Sequence, residues 1–197
     1  MIKVGITGGI GAGKSIISKV LKKLGFFVFD TDSEAKKLMN ESEEVKSFLL
    51  KELGSESFVD GKINKLYIAG KIFNDNILRN KLNQIIHPLV IKKFIDDIND
   101  KGDEIVFIES AILFESGIDK IVDYTISITA PVDVRVNRVI SRDNCESGKV
   151  YERINAQMSQ EEKNNKSDFV IMNDESVPLL RQVESTLDAI KRENNLF

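Results

Sequence analysis

The feature that most constrains the fold is a glycine-rich run near the N-terminus. Its sequence, GGIGAGKS over residues 8–15, matches the phosphate-binding pattern G-x-x-x-x-G-K-[ST]. The apolar run IKVGIT before it predicts a buried strand, and apolar residues at helical spacing after it predict a helix that Gly25 closes. Strand, glycine-rich turn and helix in this order predict the first unit of an α/β fold.

This turn has the chemistry of a phosphate site. Glycines let successive backbone N–H groups point inward around a phosphate, and the new helix adds its positive dipole end. In this pattern Lys14 reaches the β- and γ-phosphates and the Ser15 hydroxyl ligates Mg²⁺. We therefore predict that the chain binds a nucleoside triphosphate. The predicted contacts are Gly9, Ile10, Gly11, Ala12, Gly13, Lys14, Ser15 and Ile16.

The rest of the chain predicts a β-sheet with helices on both of its faces. Four further apolar runs, at 26–29, 105–108, 124–128 and 169–172, read as strands, and helical periodicity lies between them. Five such strands predict a mostly parallel sheet with helices on both faces. Ligands of such sheets bind at the carboxyl ends of the strands. The polar residues predicted at those ends are Asp30, Asp32, Glu109 and Asn173.

Uneven spacing of the strands predicts two additions to this core. A long segment with helical patterns separates the second and third strands, and we expect it to receive a second substrate. A polar stretch at 145–166 predicts an exposed, mobile arm. The predicted division is a nucleotide-binding core (1–32, 104–130 and 167–197), a helical insertion for the acceptor (33–103) and a lid (131–166).

The composition limits the kinds of ligand and metal that the chain is expected to bind. The net charge of −3 gives no global signal for nucleic acid or an anionic membrane, and no stretch approaches a membrane span. One cysteine, Cys145, excludes an internal disulfide, and with a single histidine it excludes a His/Cys zinc site. Any metal should therefore be a hard ion held by oxygens, such as Mg²⁺. We expect a cytoplasmic protein that acts on small molecules as a monomer or small homo-oligomer.

Acidic residues at two strand ends are candidates for catalysis. A carboxylate of Asp30 or Asp32 can accept the proton of an acceptor hydroxyl and orient it toward the γ-phosphate. The alternative is that an acid simply caps the next helix, for which Asp32 or Ser33 is suited. Glu109 can support Mg²⁺ through water, or it can pair with a neighbouring base.

Arginines recur at helical spacing after the fourth strand. Arg135, Arg138 and Arg142 fall on one predicted helix face, and Asp143 can orient one of them. Guanidinium groups match phosphate oxygens and stabilise charge during phosphoryl transfer, although such runs are often only a solvated face. Arg153 in the polar arm is a further candidate to close over the nucleotide.

The only histidine, His87, stands before Pro88, and this position favours extended backbone after a helix. A lone histidine is more often structural than catalytic. We expect His87 to shape or contact the acceptor pocket.

With these residues in place, the chain resembles the dephospho-coenzyme A kinase family over nearly its whole length. The shared order of D-x-D, H-P-L and L-F-E is more specific than the glycine-rich loop alone. The resemblance is carried by GITGGIGAGKS (5–15), FDTDSEA (29–35), DGKINK (60–65), IIHPLV (85–90), ILFESG (112–117), RVISRD (138–143), RINAQM (153–158) and SDFVIMN (167–173).

This resemblance implies a phosphate-loop kinase core with a helical coenzyme A domain and a lid. It implies transfer of phosphoryl from ATP–Mg²⁺ to the ribose 3′-hydroxyl of dephospho-coenzyme A. Asp32 takes the position of the proposed base, His87 lies near the acceptor, and Arg138 and Arg142 match lid arginines.

The chain departs from the family pattern at two positions. Ala111 stands where the family commonly has proline, and Lys65, a candidate substrate-binding residue, stands where it usually has arginine. Lysine does not reproduce the bidentate phosphate contact of arginine.

Two alternatives share much of this pattern. A kinase for another small acceptor, such as a nucleoside or nucleotide, would need the same loop, acid and arginines. A nucleotide switch would use hydrolysis as a timer. A GTPase should carry N-K-x-D, and Asn64-Lys65-Leu66-Tyr67 lacks the acid.

Overall fold

The computed structural model describes residues 1–99 and 101–196. Asp100 and Phe197, which fall within the predicted ranges 33–103 and 167–197, lie outside the described residues. The chain divides into two compact units. The first comprises Met1–Phe29 and Gly102–Phe197, and the second comprises Asp30–Lys101.

The helices and strands follow in this order: β1 Ile2–Thr7, α1 Lys14–Lys23, β2 Phe27–Asp30, α2 Thr31–Glu41, α3 Glu43–Leu53, β3 Phe58–Val59, β4 Lys62–Ile63, α4 Lys65–Asn74, α5 Asn76–Asn99, β5 Ile105–Glu109, β6 Tyr124–Thr129, α6 Val132–Asp143, α7 Ser147–Asn155, α8 Gln160–Lys166, β7 Phe169–Met172 and α9 Leu179–Glu193. Short 3₁₀ turns lie at Ser55–Ser57 and Ile118–Ile121.

A five-stranded sheet in the order β2-β5-β1-β6-β7 confirms the predicted fold class. The strand pairs β1–β5, β1–β6 and β6–β7 are parallel. Because β5 separates β1 from β2, the strand that ends in Asp30 is not adjacent to the strand that leads into the glycine-rich loop. In the register of β1 with β5, Ile6 faces Glu109, so this carboxylate lies beside the start of the loop.

Apolar residues on both faces of the sheet form the core of the first unit. Strands buried on both faces read as continuous apolar runs, which is why the sequence reveals them. Apolar residues at helical spacing on α1 and α9 pack against this sheet. They are Ile17, Leu21, Val183, Leu187 and Ile190.

The second unit is mainly helical, and its core is centred on α5. The buried residues of α5 recur every four positions, which gives one apolar stripe along the helix. They are Leu78, Leu82, Ile86, Val90, Phe94 and Ile98.

Two sequence predictions for the second unit are wrong. The segment is not helical throughout, since β3 and β4 form a hairpin whose turn residues Asp60 and Gly61 have φ of 50° and 73°. His87 and Pro88 do not end a helix but lie inside α5. Apolar packing on both sides of Pro88 outweighs the local bias against helix before a proline, because the residue removes one backbone donor only.

The polar stretch 145–166 is less exposed than predicted. It forms α7 and α8, and each helix buries one side chain completely, Val150 and Lys163. The composition is polar, but two buried anchors are enough to pack the helices. No helix within residues 1–99 and 101–196 is long and apolar enough to cross a membrane.

Candidate active site

The glycine-rich loop is held in a tight conformation by its neighbours. Gly8 has φ of +143°, and a Cβ there would stand 2.3 Å from the Ile128 carbonyl oxygen. Gly13 has φ of +100°, and its Cβ would stand 2.0 Å from Nδ2 of Asn173. Any side chain at these two positions would therefore be both strained and in collision with its surroundings.

Helix α1 begins directly after this loop, with Gly13 in the left-handed conformation at its N-cap. The first amides of a helix have no partner within the helix and carry its positive dipole end. Lys14 is the first residue of α1, and its Nζ donates to the Gly8 carbonyl at 2.8 Å. The ammonium group thus folds back across the loop, and its contact with the phosphates stays a prediction.

The oxygens beside the loop suit a hard cation that also binds phosphate. Ser15 lies in the first turn of α1, and Glu109 ends β5, where its Oε2 accepts from the Ser18 hydroxyl at 2.5 Å. Thr7 Oγ1, at the end of β1, is buried without a hydrogen-bond partner. The described residues contain no group of three or more His, Cys, Asp or Glu that could hold a metal. A Mg²⁺ ion here would need phosphate oxygens as ligands.

The three arginines of α6 have different hydrogen-bond partners. Arg135 is 3% exposed, and its Nε donates to the Ile10 carbonyl at 3.0 Å. Burial lowers the pKa of Arg135 from its ordinary value. Arg138 donates through Nη1 to the Asn173 carbonyl at 2.9 Å. Two of the three side chains on this helix face are therefore engaged by backbone carbonyls, and the role of the arginines at the phosphates stays a prediction.

Arg142 differs from these two because it is exposed and paired with an acid. Its Nε donates to Oδ1 of Asp143 at 2.7 Å, and Nη1 of Arg153 donates to Oδ2 of the same carboxylate at 2.8 Å. The two guanidinium groups lower the pKa of Asp143 to about 2, with Arg142 the larger cause. Asp143 thus holds one arginine from α6 and one from α7 together, where the sequence predicted that it orients one arginine.

Asp30 and Asp32 have different roles in the second unit. Asp30 caps α2, since its carboxylate accepts from the backbone N–H of Ser33 at 3.1 Å and from the Ser33 hydroxyl at 2.8 Å. The alternative that Asp32 or Ser33 is the cap is wrong, because Asp30 is the residue with extended backbone before the first turn. Asp32 lies in that first turn and is exposed.

A cavity of about 310 Å³ lies within the second unit, between α2 and α4. Lys65, one of the predicted substrate-binding residues, lines it together with a second lysine, Lys36. The remaining lining is mostly apolar and comprises Met39, Asn40, Ile63, Ile68, Ala69 and Ile72. His87 is half-buried in α5 of the same unit, and burial lowers its pKa below the ordinary 6.5.

Sequence reasoning missed two residues that contact the loop, and a buried lysine that holds α8 to the segment after β5. Gln157 and Gln160 accept hydrogen bonds from loop amides, and Lys163 is a buried ammonium group. Glutamine and lysine in a polar stretch give no signal by themselves. Asn173 was recognised only as a residue at a strand end. Its Nδ2 donates to the Ala12 carbonyl at 2.8 Å, so it supports the loop directly.

Comparison with known proteins gives a consistent result. A family model described as dephospho-CoA kinase matches residues 2–178. A dephospho-CoA kinase from Bacteroides fragilis is 40% identical over 92% of this chain and 89% of that protein. The corresponding enzyme of Salinibacter ruber is 36% identical over 95% of this chain and 96% of that protein.

Solved structures agree with these sequence relatives. A protein from Thermus thermophilus superposes with a TM-score of 0.82 at 31% identity, covering 98% of this chain and 97% of that chain. A dephospho-CoA kinase from Campylobacter jejuni superposes with a TM-score of 0.71 at 25% identity, covering 98% of each chain. A shikimate kinase from Bacteroides thetaiotaomicron, at 14% identity and a TM-score of 0.54, shares the fold.

Proposed function

Because the chain belongs to the dephospho-CoA kinase family, we propose that it transfers the γ-phosphoryl group of ATP to the ribose 3′-hydroxyl of dephospho-coenzyme A, with coenzyme A and ADP as products. The new bond joins the 3′-oxygen to the γ-phosphorus, and the bond from that phosphorus to the β–γ bridging oxygen breaks. The observation that carries the proposal is the constrained glycine-rich loop with Lys14 folded across it, in a chain whose family match spans residues 2–178.

The nucleotide side of the reaction is assigned to the first unit. The amides at the start of α1 bind the phosphates, and Lys14 exchanges the Gly8 carbonyl for phosphate oxygens when ATP enters. Ser15 would hold Mg²⁺ together with the phosphates, and Glu109 would support it through water. When bound, Mg²⁺ neutralises negative charge that develops on the phosphate oxygens.

Asp32 is the proposed base for the acceptor hydroxyl. Its neighbour Asp30 supplies the helix cap, so the carboxylate of Asp32 is not needed to hold the start of α2. We assign to Asp32 the orientation of the 3′-hydroxyl and the acceptance of its proton. Because the transition state of phosphoryl transfer is loose, orientation matters more than complete proton removal.

Three arginines are proposed to neutralise the transferring phosphoryl group. Arg138 is fixed by the carbonyl of Asn173, whose side chain supports the loop. Arg142 and Arg153 form one cationic pair across Asp143 and belong to the proposed lid. Guanidinium groups suit this role because they bind phosphate oxygens in a bidentate manner.

The second unit is proposed to bind the acceptor. Its cavity of about 310 Å³ has apolar walls and two lysines, Lys36 and Lys65. Dephospho-coenzyme A combines a mostly apolar pantetheine arm with a pyrophosphate, and these two parts suit such a lining. Lys65 would attract the pyrophosphate as a point charge, and His87 would shape the pocket from α5.

The test is ADP release from ATP–Mg²⁺ with dephospho-coenzyme A, adenosine or a nucleoside monophosphate as acceptor, with phosphorus NMR to locate the new phosphate. We expect strong stimulation by dephospho-coenzyme A and a 3′-phosphorylated product. Stimulation by another acceptor instead would reassign the substrate to a different small molecule. If no acceptor stimulated ADP release, the kinase assignment would give way to a nucleotide switch.

A further inference from the structure

We propose that Gln157 and Gln160 are positioning residues that hold the first turn of the glycine-rich loop in its phosphate-binding shape, and thereby set the affinity for the nucleotide. The inference rests on the proposed binding of ATP at this loop. It is independent of which acceptor the enzyme phosphorylates.

The two glutamines engage consecutive amides of the loop. The Gly9 N–H donates to Oε1 of Gln160 at 2.8 Å, and the Ile10 N–H donates to Oε1 of Gln157 at 3.1 Å. On the other side of the loop, the Ile10 carbonyl accepts from Arg135 at 3.0 Å. The backbone at Gly9 and Ile10 is thus held from two directions by side chains more than 120 positions away in the sequence.

The orientation of the Gln160 amide is fixed by two further hydrogen bonds. Its Nε2 donates to the Ser127 hydroxyl at 3.0 Å and to Oδ1 of Asn164 at 2.8 Å. The Ser127 hydroxyl in turn donates to the same oxygen of Asn164 at 2.7 Å. Because both Nε2 protons are used in this way, Oε1 faces the Gly9 amide. A polar network in which each member has its partner is rigid.

Helix α8, which carries Gln160, is itself anchored to the segment after β5. Lys163 is fully buried, and its Nζ donates to the Ala111 carbonyl and to Oε1 of Glu115, the latter at 3.0 Å. The Met158 N–H donates to the same Glu115 oxygen at 2.9 Å. Pulling α8 away would break both of these contacts of Lys163 as well as the hydrogen bond from Met158 to Glu115. The segment that carries both glutamines is therefore held in place by contacts with Ala111 and Glu115.

Because the glutamines are held in place, they can restrain the orientation of the loop amides. Gly9 has no side chain that could hold its backbone, and a Cβ there would stand 2.3 Å from Nη2 of Arg135. Without the two acceptors, the Gly9 and Ile10 amides lose the hydrogen bonds that orient them, and only the bonds at the Gly8, Gly9 and Ile10 carbonyls remain to restrain this part of the loop. The following amides, which bind phosphate, would then lose their common orientation. We expect this loss to appear as weaker nucleotide binding with acceptor binding unchanged.

The test uses Gln160→Met and Gln157→Met, which keep the side-chain length and remove the acceptor. The dissociation constant of ADP–Mg²⁺ should rise about 10-fold in each variant and further in the double variant, as expected for the loss of a partly buried hydrogen bond. Exchange of the Gly9 and Ile10 amides, followed by ¹⁵N NMR, should become faster in the corresponding variant. The KM for the acceptor should change less than 2-fold. Glu161→Gln, exposed on the same helix, is the matched control and should leave all of these values unchanged.

Two outcomes would overturn the proposal. The first is an unchanged dissociation constant for ADP–Mg²⁺ in the double variant. The second is a parallel loss of nucleotide affinity, acceptor affinity and thermal stability, which would mean that the glutamines only hold the unit together. If Gln160→Met does not fold, Ser127→Ala removes one restraint on Gln160 and should raise the dissociation constant 2- to 5-fold. Failure of the acceptor assay would leave ADP binding measurable, so the two proposals fail separately.

Discussion

At the scale of single residues, Asp30 and Asp32 form a natural matched pair. Both are carboxylates at the start of α2, but Asp30 is bound to Ser33 and Asp32 is exposed. Asp32→Asn should lower kcat by about 10²–10⁴-fold, the range for loss of a well-placed general base, and leave ADP–Mg²⁺ binding nearly unchanged. Steady-state kinetics and calorimetric binding measure the two effects.

The control is Asp30→Ala. It removes the helix cap and should lower the free energy of unfolding by about 1 kcal/mol, with a much smaller effect on kcat. Near-normal turnover of Asp32→Asn would show that the base has been assigned to the wrong residue.

The only histidine of the chain gives a direct measure of burial in α5. Its pKa lies below 6.5, so below that pH the unfolded chain binds a proton that the folded protein does not. Stability should therefore fall as the pH decreases from 7.5 to 5.5. A proton NMR titration of His87 and thermal unfolding at both pH values test this directly. His87→Asn should weaken the pH dependence, and a midpoint above 6.5 would contradict the burial of the ring.

The charge pair across Asp143 predicts an acid-sensitive contribution to stability. Because the folded pKa of Asp143 is about 2 and the ordinary value is 3.8, the carboxylate stabilises the fold above pH 3.8 and loses this effect as the pH falls toward 2. The melting temperature of Asp143→Asn should lie below that of the unchanged protein at pH 5, and the gap should narrow toward pH 2. If this difference in melting temperature grew as the pH fell, the Asp143 carboxylate would not stabilise the fold through the two arginines.

At the scale of helices and strands, the sequence predicts what is local. All five strands of the sheet and the helices α1 and α6 are found where the sequence pattern predicts them. The loop residues were found from the spacing of their glycines and Lys14. What could not be predicted depends on distant contacts, such as Gln160 at the Gly9 amide and Arg135 at the Ile10 carbonyl. A polar side chain shows its target only when the fold brings the two together.

The proline inside helix α5 leads to a prediction about the stability of that helix. Pro88 lies inside a helix of 24 residues and is exposed, so replacing it costs little packing. Pro88→Ala restores one backbone hydrogen bond and should raise the free energy of unfolding by about 1–3 kcal/mol. Urea denaturation measures the change. A loss of stability would mean that the stripe from Ile86 to Val90 needs the proline to stay in register.

At the scale of the whole molecule, each unit has a core of its own, so they should respond separately to the two substrates. Binding slows amide exchange in the part of a protein that it stabilises. ADP–Mg²⁺ should protect the loop and α1, and dephospho-coenzyme A should protect α2 and α4, which line the cavity. Hydrogen exchange with mass spectrometry distinguishes them. If the acceptor alone slowed amide exchange in α1, the proposal that each unit binds a different substrate would be contradicted.

The constraint on the glycine-rich loop also bears on how quickly nucleotide is captured. Its backbone is already held at Gly8, Gly9, Ile10 and Ala12 by hydrogen bonds from other parts of the first unit and from Lys14. A loop that had to fold around its ligand would show an induction period after mixing, with a rate that levels off at high ligand concentration. Here the backbone of the loop is in place before the nucleotide arrives, and only the Lys14 side chain changes its partner. In a stopped-flow trace, the observed rate should therefore rise linearly with nucleotide concentration in a single phase.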